Sequence, residues 1–162
     1  MAILSPFLLV SASALTSTKY IDAICGGNPF CMQTLTSYPP AVSATDLFSL
    51  AQIVINLGMS YAEGAGRFAA ETAEKEPTLT QFKSCQREYD GIQMNLRMGK
   101  SELKEYPDGA NYDIMRCIDS TVVVRDLIGG NSDNASKTLM EMTRQMQRLI
   151  NVAVGATVAL GG

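Results

Sequence analysis

Apolar residues recur along this chain at intervals of three and four, the spacing that lines one face of an α-helix, and no stretch sustains a period of two. Four long segments carry the pattern. In the first it runs through Leu47, Leu50, Ala51, Val54, Leu57, Tyr61, Ala65, Phe68 and Ala69. Ser43-Ala44-Thr45-Asp46 precedes it and supplies side-chain oxygens for the backbone N–H groups a helix start leaves free. Gly58, Gly64 and Gly66 weaken this helix by up to about 1 kcal/mol each relative to Ala, or mark close approach by a neighbour. The second segment is predicted to begin after Pro77, with Leu79, Phe82, Cys85, Tyr89, Ile92 and Leu96 on one face and Gly99 as its C-terminal stop. The third follows Pro107-Asp108-Gly109, carries Ala110, Ile114, Cys117, Thr121, Val124 and Ile128, and halts at Gly129-Gly130. The fourth opens in the capping run Asn131-Ser132-Asp133-Asn134 and is the most regular, through Leu139, Met142, Met146, Leu149, Ala153, Ala156 and Leu160.

Such stripes belong to helices lying nearly parallel to their neighbours, so the pattern predicts an all-α fold, an up-and-down four-helix bundle over about residues 43–160. The 162 residues suffice for one core. A shorter piece at about 16–37 precedes the bundle, broken by Gly26-Gly27-Asn28-Pro29, which reads as the turn of a hairpin extension. Residues 15–162 are therefore expected to form a single domain. The segment before it, 1–14, is apolar, without charge, and ends in Ala12-Ser13-Ala14, the pattern of a secretory signal peptide cut after Ala14. No later apolar run is long enough to span a membrane.

Composition narrows the function. Thirteen basic against sixteen acidic residues leave a net charge of −3, which disfavours nucleic acid and, by the same repulsion, anionic polysaccharide. A protein partner remains. The chain has no His, which removes the commonest general base and metal ligand. No nucleotide-binding or nucleophile motif is present, and the carboxylates at Glu71, Glu74 and Glu76 and at Glu102, Glu105 and Asp108 read as solvated helix ends. The expectation is a non-enzyme without cofactor or metal. Nine Met residues raise a separate alternative, a small-ligand carrier using the bundle interior.

Four cysteines, Cys25, Cys31, Cys85 and Cys117, fit a secreted protein with two disulfides and allow three pairings. Cys25 and Cys31 flank the hairpin turn and close a short loop. Cys85 and Cys117 lie on the core faces of the second and third segments. If those helices end at Gly99 and start at Pro107, the two thiols are out of level by about 6 Å, roughly one turn. Asn134-Ala135-Ser136 is a glycosylation sequon suited to a secreted surface.

The run Ile24-Cys25-Gly26-Gly27-Asn28-Pro29-Phe30-Cys31-Met32-Gln33-Thr34-Leu35, then Asp46-Leu47 with Leu50-Ala51, Cys85-Gln86-Arg87-Glu88-Tyr89-Asp90, and Cys117-Ile118-Asp119 after Asn111-Tyr112-Asp113 together resemble the plant invertase and pectin methylesterase inhibitor family over about residues 20–160. The resemblance implies an N-terminal helical hairpin beside a four-helix bundle, with disulfides joining first to second and third to fourth cysteine. It implies an extracellular, cell-wall protein that blocks pectin methylesterase or acid invertase in a non-covalent 1:1 complex; some pollen allergens share the family. The Cys25–Cys31 and Cys85–Cys117 intervals are shorter than is usual there, and the Pro-Lys-Phe motif of invertase inhibitors is missing, which tilts the expectation toward pectin methylesterase. A non-inhibitory interaction protein of the same fold is the alternative. Independently of the family, the stripes turn Arg87, Asp90 and Arg97 of the second segment and Arg116, Asp119 and Asp126 of the third away from the core, as candidate partner contacts.

Overall fold

The computed structural model describes residues 12–162, with side chains from Thr18 onward. The expected signal segment lies, over residues 1–11, outside the described residues. Seven helices run through the described chain: α1 (Ala12–Cys25), α2 (Pro29–Thr36), α3 (Pro39–Val42), α4 (Leu47–Lys75), α5 (Phe82–Glu102), α6 (Pro107–Ile128) and α7 (Asn134–Ala159). The last four form the bundle. Each of α4, α5 and α6 packs on its successor, and α7 closes the ring against α4.

The helix starts follow from local chemistry. Asp46 caps α4 by accepting from the Ser49 N–H at 2.7 Å, and Asp133 caps α7 by accepting from that of Ser136 at 2.7 Å. Both carboxyls are held below the ordinary range, chiefly by those backbone hydrogen bonds. The second bundle helix starts at Phe82 rather than just after Pro77, because the Leu79 and Phe82 N–H groups are taken by turns onto the carbonyls of Glu76 and Leu79. Its end also differs from expectation. α5 continues through Gly99 to Glu102, and the glycine is buried under α6: a Cβ there would stand 2.7 Å from Ile114 Cγ1 and 3.0 Å from the Ala110 carbonyl oxygen. Gly99 is thus a point of close approach between two helices. On α4, Gly58 and Gly66 face Leu96 and Tyr89, whereas Gly64 meets nothing.

The N-terminal hairpin is present as α1 and α2. Gly26 and Gly27 adopt positive φ at the turn, Asn28 accepts from the Cys31 N–H at 3.0 Å, and Pro29 opens α2. Cys25 and Cys31 are bonded. Closing so short a loop contributes about 2 kcal/mol by the chain-entropy account. The hairpin lies on α7, where Gly155 admits the backbone of α1: a Cβ there would sit 2.5 Å from the Ile24 carbonyl oxygen. The Arg148 guanidinium of α7 also covers the Phe30 ring of α2, 5.5 Å from its centroid.

The second bridge is not formed. Cys85 and Cys117 are both buried free thiols. The register explains it. Gly99 lies under Ala110 and Ile114, and Gly91 lies beside Ser120. This antiparallel register brings Cys117 to Ile92, whose carbonyl its Sγ approaches at 3.6 Å, and leaves Cys85 level with the far end of α6. The three residues α5 gains beyond Gly99 widen the offset to about 10 Å along the helix axis, too far for a disulfide.

Candidate protein-docking face

α6 is apolar on two sides. Its inner side buries Ala110, Ile114, Cys117, Thr121, Val124 and Ile128. Its outer side carries Tyr112, Arg116, Asp119, Val123 and Asp126 at spacings of four and three, all exposed, with Met115 and Val122 beside them. On α5 the outward line is Arg87, Met94 and Met98, with Asp90 one turn from Arg87. α5 lies alongside α6 at Gly91 and Ser120, which sets these stripes side by side on one face.

Exposure is what separates this face from the rest. Met94 is 57% exposed, Tyr112 65% and Met115 49%. Together with Met98, Val122, Val123 and Tyr106 of the connecting loop, they make up most of the large exposed hydrophobics among the described residues. A single exposed Met needs no explanation, but a contiguous set rimmed by charge marks an interaction surface. The Arg116 guanidinium lies over the Tyr112 ring, 5.9 Å from its centroid, and Arg87 donates to the Ser84 hydroxyl at 2.9 Å. Neither cation is engaged in an ion pair among the described residues. Arg, Tyr and Met are the residue types that anchor protein interfaces, because each combines apolar area with a polar or polarisable handle.

All six charged residues predicted as partner contacts are exposed, and five fall on this face. Arg97 does not join them. It turns toward α4 and lines a groove with Phe48 and Gln52. The apolar members were not singled out from the sequence. Their signal was nevertheless there, since Tyr112, Met115, Val122 and Val123 fall outside a stripe that Ile114, Cys117, Thr121 and Val124 already complete. The sequon is also placed: Asn134 is exposed on the first turn of α7, while the Ser136 hydroxyl is buried and donates to Asp133 at 2.8 Å.

An all-helical bundle with one helix pair left apolar and charged toward solvent has the build of a protein-binding module. The chain matches the plant invertase/pectin methylesterase inhibitor family over residues 19–154, and it belongs to that family. Members of that family are inhibitors rather than enzymes. No curated protein and no solved structure matches the chain. Among the described residues no helix is long and apolar enough to cross a membrane.

Proposed function

We propose that the protein inhibits pectin methylesterase by docking the outer face of α5 and α6 on the enzyme in a non-covalent 1:1 complex. The observation that carries this reading is the contiguous exposure of Met94, Met98, Tyr112, Met115 and Val123 among unpaired charges, on a chain of an inhibitor family. The α5–α6 face carries Asp90, Asp119 and Asp126 beside Arg87 and Arg116, a mixed charge that suits a protein surface better than a polyanion. The same reading takes residues 1–14 as a leader removed on secretion to the cell wall and Asn134 as a glycan acceptor.

The test is titration of purified protein against a plant pectin methylesterase and, in parallel, an acid invertase. Loss of ester hydrolysis reaching its end point at one equivalent supports the proposal. Loss of sucrose hydrolysis instead transfers the reading to invertase, and no effect on either enzyme at several-fold excess overturns it in favour of a non-inhibitory interaction protein. The carrier alternative has little to stand on. Of the Met residues, only Met146 is fully buried among the described residues, while Met94, Met98 and Met115 face solvent.

A further inference from the structure

Net charge is a poor guide to one corner of the molecule. Where the start of α4 passes the end of α5, an open groove of about 530 Å³ is lined by Phe48, Gln52, Arg97, Lys100, Ser101 and Lys104. Three of the thirteen basic residues of an acidic protein meet there, and no carboxylate is among the lining residues. Arg97 and Lys100 make no ion pair among the described residues, and Lys104 only grazes Glu105 at 4.0 Å with both side chains well exposed. Arg97 and Lys100 sit one turn apart near the end of α5 and Lys104 follows in the turn just past Glu102, so the three cations meet at the groove and repel. The dipole at the helix end offsets part of that repulsion. An anion laid along the groove would offset the rest.

We infer that this groove binds an acidic oligosaccharide, a chain of uronic acid units, through Arg97, Lys100 and Lys104. The lining matches that chemistry at each point. The Phe48 ring and the aliphatic arms of the cations give an apolar strip for the C–H face of a pyranose. The Gln52 amide supplies a donor and an acceptor for ring hydroxyls. Ser101 already donates to the Met98 carbonyl at 2.7 Å, so its oxygen is left to accept from a sugar hydroxyl. From Arg97 to the end of α5 at Glu102 the helix rises about 7.5 Å, and Lys104 lies beyond that end, room for a run of carboxylates rather than one. An extended acidic peptide fits less well, because both walls are helical and offer no strand edge. This site is separate from the α5–α6 face and does not depend on inhibition.

Calorimetric titration of the folded protein with an unesterified oligogalacturonide at low salt tests the assignment. Saturable binding is expected, weakened by added salt and abolished by full methyl esterification of the oligomer. R97Q, K100Q and K104Q should each weaken it about threefold and the triple variant about thirtyfold. K83Q and R125Q, cations elsewhere on α5 and α6, should bind as the parent does. Circular dichroism checks that the exposed substitutions leave the fold intact. Absence of binding by the parent, or a triple variant that binds equally well, overturns the proposal. An oligoglutamate of equal charge that binds as tightly as the uronide overturns it in favour of an acidic peptide.

Discussion

The Tyr89 hydroxyl of α5 lies 2.8 Å from Thr143 Oγ1 of α7, across the centre of the bundle and out of contact with water. The direction of the bond follows from the neighbouring one. Thr143 has a single hydroxyl proton and donates it to the Leu139 carbonyl at 2.7 Å, so Tyr89 is the donor to Thr143. Burial also pushes the Tyr89 phenol above its ordinary range, which keeps the proton in place. The two partners are therefore unequal. Tyr89→Phe removes the donor and leaves Thr143 satisfied, at a cost of about 1 kcal/mol. Thr143→Val strands the buried phenol and should cost about 2 kcal/mol. Urea denaturation of both variants measures the order, and equal losses would contradict the assigned direction.

Gly99 and Gly64 separate packing from propensity. Both are interior to helices, so replacing either by Ala brings the propensity gain of up to about 1 kcal/mol. At Gly64 nothing opposes the new methyl group, and Gly64→Ala should raise the stability of α4 by nearly that amount. At Gly99 the methyl group would meet Ile114 Cγ1 and the Ala110 carbonyl, and α5 and α6 must part to admit it. Gly99→Ala should lose about 1–3 kcal/mol despite the propensity gain. Thermal melts of the two variants should therefore move in opposite directions.

The same glycine shows where sequence reading ran out. Periodicity located the four bundle helices and their core faces, because burial repeats with the helix and leaves its trace in residue type. Asp46 and Asp133 were legible as members of their capping runs, since a cap is a local interaction. Gly99 reads equally well as a helix stop or a close crossing, and only the position of α6 decides. The fate of Cys85 and Cys117 turned on that choice, because three more residues of helix add about 4.5 Å to the offset between them. The charged half of the docking face was visible in the unused positions of the stripes. Its apolar half left the same trace, Tyr112, Met115, Val122 and Val123 outside a completed stripe, but only the placement of the neighbouring helices shows that nothing covers them. The basic groove was invisible for a related reason: Phe48 and Gln52 meet Arg97 only through the packing of α4 on α5.

The two free thiols give a chemical check on that register. Burial pushes Cys85 up to about 11 and Cys117 up to about 12, from an ordinary 9.0, so both stay protonated and unreactive near neutral pH. Iodoacetamide at pH 8 without reductant should label neither cysteine in the native protein and both after unfolding in urea. Cys25 and Cys31 should label only once reduced. Mass spectrometry that finds Cys85 and Cys117 resistant in urea and linked in one peptide would restore the second bridge. The shifts also set an alkaline limit. Above pH 9.0 the unfolded chain ionises these thiols while the folded one holds them neutral, so the unfolded state binds fewer protons and stability falls. The loss should start above pH 9 and continue until pH passes 12, and Cys117→Ala should shallow the slope.

Charge reversal on the docking face should separate binding from folding. Arg116 and Asp119 are exposed, adjacent on the outer stripe of α6 and remote from the core line, so R116E and D119K should leave the melting temperature nearly unchanged. Met115→Ala removes apolar area from the face and should weaken inhibition about tenfold or more. R116E should act through the rim, slowing association and altering its salt dependence more than its dissociation rate. R97E supplies the contrast, because Arg97 belongs to the groove beside α4 rather than to this face. Surface plasmon resonance of the four variants on immobilised enzyme distinguishes the cases. If R97E weakens enzyme binding as much as Met115→Ala while R116E and D119K do nothing, the enzyme docks over the groove and the α5–α6 face is not the inhibitory surface.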